Sequence, residues 1–191
     1  MKKTLIPIII ILRKITPRYI LDFFRFKRRV KKLYEIRKST KPIQISNFSD
    51  IFQRLDISPD SNIFIHSGSD WLGEVEGGVL SVVKSIATYF ESGTVVMPSF
   101  AMEGMTGEYL DENIFSVNKT ASKMGLITEI FRRYPKVERS FHPTHSVCAL
   151  GANSKYITSS HEKCIYPFEE SSPFGKLAKL KGKILLIGVG L

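Results

Sequence analysis

The strongest constraint on the fold lies in residues 63–97. Ile63-Phe64-Ile65-His66 is a short apolar run, followed by the loop Ser67-Gly68-Ser69-Asp70-Trp71-Leu72-Gly73 and then by Glu76-Gly77-Gly78. From Val79 to Phe90 apolar residues recur at helical spacing, Gly93 closes the segment, and Thr94-Val95-Val96-Met97-Pro98 is a second apolar run. Strand, loop, helix, strand is the pattern of a parallel crossover: a tight turn cannot join parallel strands, so the connection returns as a helix. The remaining signals extend it. Ser46-Asn47 precedes a short helix around Asp50–Leu55, and Ser122 reads as the cap of a helix running to about Arg133. Val147–Leu150 reads as a strand, residues 153–160 as a short helix, and Ile184–Gly188 as a buried strand. The expectation is an α/β domain with a largely parallel sheet flanked by helices. Residues 99–122 form a long polar excursion, a length that is uncommon in loops without a function.

The charge divides the chain. Residues 1–41 hold fourteen Lys and Arg against Asp22 and Glu35, a net +12, whereas the remainder is −2, so the overall +10 belongs to the N-terminal arm. Residues 1–45 are therefore expected to form a basic arm, and residues 46–191 the α/β domain. In the arm, Leu5–Leu12 is an apolar run of eight, well short of the about 20 residues needed to span a bilayer. Tyr19, Ile20, Phe23, Phe24 and Phe26 then mix with Lys and Arg in a helix-compatible pattern, as in an amphipathic helix able to lie on an anionic surface. Nucleic acid is not expected as a partner, because no recognition motif accompanies the charge. Cys148 and Cys164 make no disulfide framework, which suits a reducing, cytoplasmic setting.

Three places carry candidate chemistry. Ser67–Gly78, between a strand and a helix N-terminus, offers backbone N–H groups of the kind that hold phosphate, although it is neither a Walker loop nor a dinucleotide fingerprint. In Arg139-Ser140-Phe141-His142-Pro143-Thr144-His145-Ser146, His142 and His145 stand three residues apart before a strand. Either is a candidate general base. Ser140 or Ser146 as nucleophile, and a zinc site made from His142, His145, His161 and Cys164, are open alternatives on residue type. Gly125 and Glu129 read either as ligand-facing or as a helix packing point and a surface charge.

Five blocks in order complete the pattern: Ile65-His66-Ser67-Gly68 with Gly73 and Gly77-Gly78; Gly93–Phe100; Ser122-Lys123-Met124-Gly125 with Glu129; Arg139–Ser146 with Ala149-Leu150-Gly151; and Ser172-Pro173 with Gly182–Gly188. Together they resemble the aminoglycoside 3-N-acetyltransferase family over roughly residues 46–191. The resemblance implies acetyl transfer from acetyl-coenzyme A (acetyl-CoA) to an amine of an amino sugar or aminoglycoside-like acceptor, the chemistry of antibiotic resistance. On that reading Ser67, Gly68, Ser69, Gly73, Gly77, Gly78, Ser122, Lys123, Met124 and Gly125 hold the coenzyme. His142, His145 and His161 are the catalytic candidates, one of them the base, and no metal is expected.

Two departures qualify the resemblance. Gly68 stands where the family commonly has a serine, and the sequence ends at Gly188-Val189-Gly190-Leu191, before a family segment bearing a His and a Glu. The corresponding expectations are a domain incomplete at its C-terminus, an apolar surface beside the last strand, and, as the alternative to an active transferase, a non-catalytic remnant that binds coenzyme A or a partner. Homo-oligomerisation and peripheral membrane contact through residues 1–45 are left open.

Overall fold

The computed structural model describes residues 18–39, 41–44, 46–69, 72–102, 110 and 114–189. The chain divides into two compact units, residues 1–41 and 42–191. The first contains helix α1 (Arg18–Ser39); the apolar run Leu5–Leu12 lies outside the described residues.

The second unit runs α2 (Ser46–Arg54), β1 (Asn62–Ser67), α3 (Gly78–Tyr89), β2 (Thr94–Pro98), α4 (Leu126–Arg132), β3 (Glu138–Arg139), β4 (Val147–Gly151), α5 (Ser154–Thr158), a 3-10 turn (His161–Lys163), α6 (Pro173–Lys179) and β5 (Lys183–Ile187). The five strands form one sheet in the order β3-β4-β2-β1-β5. β1 pairs in parallel with β2 and with β5, so the crossover over 63–97 is present as expected. The sheet as a whole is mixed, not largely parallel: β4 runs antiparallel to β2, with Pro98 opposite Val147 and Thr94 opposite Gly151, and β3 runs antiparallel to β4. The reason is that the sheet takes β4 between β3 and β2. Glu138-Arg139 and Val147–Gly151 pair as a hairpin closed by Ser140–Ser146, and a hairpin reverses direction where a crossover helix would not.

Successive side chains of a strand face opposite sides of the sheet, which builds two cores. Ile63, Ile65, Val95, Met97, Cys148 and Ile187 pack beneath α2, α3 and α4 with Phe52, Val82, Ile86, Phe90, Ile127 and Phe131. Phe64, Val96, Val147 and Ala149 face α5 and α6 through Ile157 and Leu177. At the β5 edge Ile184 is 70% exposed and Leu186 37%.

Three helices differ from the sequence reading, the first being α2, which already includes Ser46 and Asn47. α4 begins at Leu126, because Gly125 at φ 103° interrupts helical geometry and takes the cap position; the Ser122 hydroxyl accepts from the Met124 N–H instead, at 3.2 Å. α6 was absent from that reading, yet its start follows ordinary rules: Ser172 caps it, accepting from the Gly175 N–H at 3.3 Å, and Pro173 occupies the first turn.

Candidate active site

The antiparallel β4 decides where the site is. The carboxyl ends of β1 and β2 lie on one edge of the sheet, and because β4 is reversed its first residues arrive at that same edge. Ser140–Ser146 is thereby set against Ser99 and Phe100, the residues that leave β2. The Ser99 N–H donates to Ser146 O at 2.8 Å and Ser146 Oγ donates to Ser99 O at 2.7 Å. Arg139 pins the same corner. Its guanidinium donates to Ser99 O at 2.8 Å, to Val117 O at 3.1 Å, to Thr120 O and to Ser146 Oγ, and it lies over the Phe115 ring. Several carbonyls around one planar, permanently charged fork make a rigid junction.

Three histidines meet here. His142 and His161 stack with ring centroids 4.4 Å apart, and His142 and His145 sit edge to face at 5.9 Å. The Nδ1 of His142 accepts from the backbone N–H of His145 at 3.0 Å and of Thr144 at 3.3 Å. Two backbone donors on Nδ1 place the proton of the neutral ring on Nε2. His145 Nδ1 is 2.8 Å from Thr144 Oγ1. His161 is fully buried, its Nδ1 2.9 Å from Ser140 Oγ. Ser140 Oγ also accepts from the Val147 N–H at 2.9 Å.

Desolvation disfavours the charged form of all three rings. Burial pushes His145 below the ordinary imidazole value; burial and then the neighbouring His145 do the same to His142. His161 falls furthest, to about 4, through burial first and His142 second. Neutral imidazole is the form able to accept a proton at pH 7.

Of the three, His142 opens on a cleft of about 590 Å³ whose walls include Phe115, Phe141, Thr144, Glu162 and Cys164. Aromatic faces and a carboxylate suit a cationic guest. Phe115, Phe141 and Glu162 were not among the sequence candidates: aromatic and acidic residues are common on any surface, and only the fold gathers these three.

The proposed coenzyme-holding residues form a second group. Gly125 lies against the end of β1, where a Cβ would come within 3.9 Å of Ser67 O. The Ser67 hydroxyl is buried and has no hydrogen-bond partner. Gly73, Gly77 and Gly78 all have positive φ; the Gly78 N–H is taken by Val75 O at 2.9 Å, but Gly77, the residue before α3, offers no side chain to cap the N–H groups that follow. A ligand oxygen would satisfy such groups. The backbone N–H groups of Ser122, Lys123 and Met124, by contrast, are committed to Glu129, Phe100 and Ser122 Oγ. Ser69 is half-buried beside Gly68, whose N–H bonds Ile187 O at 2.9 Å; Asp70 and Trp71 lie outside the described residues.

The alternative readings find other partners. Ser140 and Ser146 are fully buried, with hydroxyls engaged as above. Cys164 Sγ faces Ser160 O and Ser171 Oγ, and no group of three or more His, Cys, Asp or Glu able to hold a metal occurs among the described residues. Glu129 is a structural brace: it accepts from Arg132, Arg133 and the Ser122 N–H, and hydrogen bonding to Arg132 above all holds its carboxyl near 2.

A family model described as aminoglycoside 3-N-acetyltransferase matches residues 64–191. The chain belongs to that family. Among curated proteins it is similar to the SPbeta prophage-derived aminoglycoside N(3')-acetyltransferase-like protein YokD of Bacillus subtilis, at 30% identity over 171 residues, 80% of this chain and 62% of that protein. It is also similar to aminoglycoside N(3)-acetyltransferase IV of a Salmonella species, at 29% identity over 82% of this chain and 55% of that one. The crystal structure of YokD superposes with a TM-score of 0.71 at 29% identity, covering 82% of this chain and 64% of YokD. A coenzyme A complex, AAC-IIIb binary with CoASH, has a TM-score of 0.65 at 20% identity, covering 76% and 59%, and speaks to the fold alone. The chain thus spans about 55–62% of the length of these curated relatives.

Proposed function

We propose that the chain carries the catalytic face of an acetyl-CoA-dependent N-acetyltransferase whose acceptor is an amine on an amino sugar or aminoglycoside. The observation that supports this best is the neutral histidine cluster at the carboxyl edge of β1 and β2, with His142 open to a cleft bearing aromatic walls and Glu162. The cleft would draw in the protonated amine by charge and cation–π attraction. The coenzyme supplies an activated acetyl thioester. Ser67, the Gly73–Gly78 turn and the uncapped start of α3 are the groups that would receive its phosphates and polar atoms. Acetyl-CoA is a cytoplasmic metabolite, and we place the reaction there.

For direct transfer the amine must reach its free-base form, and the acetyl oxygen must be stabilised as charge builds on it. With its proton held on Nε2, His142 is suited to donate to that oxygen. His145, which stands beside His142 off the cleft wall, can donate from Nδ1 to Thr144 Oγ1 and so keep a lone pair on Nε2, and is suited to take the amine proton through one water. His161, buried behind His142, positions that ring by stacking. The nitrogen–carbon bond forms as the carbon–sulfur bond breaks, and coenzyme A leaves as a thiolate that takes up the proton lost by the amine.

The test is thiol release from acetyl-CoA with an amino-sugar panel, run beside calorimetric titration with coenzyme A. We expect His145→Ala to abolish the acidic limb of the pH–rate profile, the rise in rate as the base loses its proton, while coenzyme binding persists. We expect His142→Gln, which keeps a donor, to retain more activity than His142→Ala. Equal rates for all three and the wild type would overturn the assignment, and no coenzyme binding at millimolar concentration would overturn the function.

A further inference from the structure

α1 is a helix of 22 residues. Phe23, Phe26, Val30 and Tyr34 recur along it at i, i+3, i+7 and i+11, which places them on one stripe. All four stand in solvent: 52%, 64%, 47% and 66% exposed. Exposed aromatic and aliphatic side chains in a continuous row are unusual unless something covers them. The surroundings are cationic. Lys27, Arg28, Lys31 and Lys32 are exposed, and Lys27 Nζ lies 4.9 Å from the Phe23 ring centroid. Over Arg18–Ser39 nine Lys and Arg oppose Asp22 and Glu35, a net +7, while residues 42–191 sum to −2. The charge is therefore a property of this helix and not of the chain at large.

Charge complementarity selects the occupant. A second copy of the same helix would bring +7 against +7. A nucleic acid would meet the cations but leave the row Phe23, Phe26, Val30, Tyr34 in water. A bilayer surface with anionic headgroups satisfies both: phosphates meet Lys and Arg while the aromatic row enters the headgroup–acyl boundary. None of the described helices is long and apolar enough to cross a membrane, which agrees with a helix lying in the interface. We propose that α1 is a docking surface for an anionic lipid bilayer and holds the 42–191 unit at the membrane surface. This stands independently of the acetyltransferase reading, since no residue of the site is involved.

The experiment is co-sedimentation of the full chain with vesicles of phosphatidylcholine, alone or mixed with phosphatidylglycerol. Binding to the mixed vesicles only, weakened by added salt, is expected. The charge reversal Arg28→Glu/Lys31→Glu/Lys32→Glu should lower the partition coefficient at least about 100-fold. Phe23→Ser/Phe26→Ser should lower it roughly tenfold, and Phe23→Leu/Phe26→Leu should preserve it. An unchanged melting transition for each variant shows that the 42–191 unit is intact. Equal binding to both vesicle types would overturn the proposal. So would indifference to the serine substitutions, capture of duplex DNA without vesicle binding, or self-association through α1 without vesicle binding.

Discussion

The buried His161 predicts how stability responds to mild acid. Its side chain is fully buried, and burial holds its native pKa at about 4, whereas in the unfolded chain it titrates as an ordinary imidazole, at about 6.5. Between those values the unfolded state binds a proton that the native state refuses, so stability rises with pH there and is lost as pH falls from about 6.5 toward 4. For a single group with these two pKa values, the loss on going from pH 7 to pH 5 is about 2 kcal/mol. The perturbation is His161→Asn, which removes the titrating group and leaves a polar side chain beside Ser140. Urea unfolding at intervals between pH 5 and 7.5 is the assay. The wild type should lose about 2 kcal/mol more than the variant across this window. His142 and His145 contribute in the same direction and are common to both proteins, so the difference reports His161 together with its coupling to them. Glu129, held near 2 by Arg132, contributes stability that is present above the ordinary carboxylate range and lost only as pH falls through it toward 2, outside the window. Parallel pH profiles for wild type and variant, or a wild type that gains stability on acidification, would refute the reasoning.

Other perturbations test other parts of the frame. Gly151→Ala should destabilise by at least about 2 kcal/mol in thermal unfolding, because φ is 118° and the new Cβ would meet Gly93 O at 2.1 Å, backbone that cannot swing aside. Glu129→Gln should cost roughly 2–3 kcal/mol in chemical denaturation, since it strips the charged acceptor from Arg132, whose side chain is 6% exposed. Arg139→Lys should quicken proteolytic cleavage within residues 114–122 with little change in the melting of the sheet, because a point charge cannot bridge Ser99, Val117 and Thr120 at once.

Much of the frame is local and therefore readable from the chain. Strands β1 and β2 and helix α3 follow from apolar periodicity and from Gly93, and the positive-φ turns at Gly73, Gly77 and Gly78 follow from glycine being the residue that tolerates them. Ser172-Pro173 announces α6 by the same short-range rules. The cluster Arg139–Ser146 is visible as a candidate site because two histidines flank a proline before a strand.

What the sequence by itself determined, then, is that the segments of β1, α3, β2, β4 and β5 become strand or helix, and that His142, His145 and His161 are available as bases. The tertiary structure alone decided that β4 is antiparallel, and this puts the histidines at the carboxyl edge of β1 and β2 instead of the opposite end of the sheet. It alone decided that Glu129 braces Arg132 and Arg133, that His161 is sealed behind His142, and that Phe115, Phe141 and Glu162 share a cleft. The physical reason is range. Periodicity, caps and turn residues act over a few neighbours along the chain, whereas strand direction, burial and the proton affinity of an imidazole depend on groups brought close only when residues tens of positions apart exclude water together.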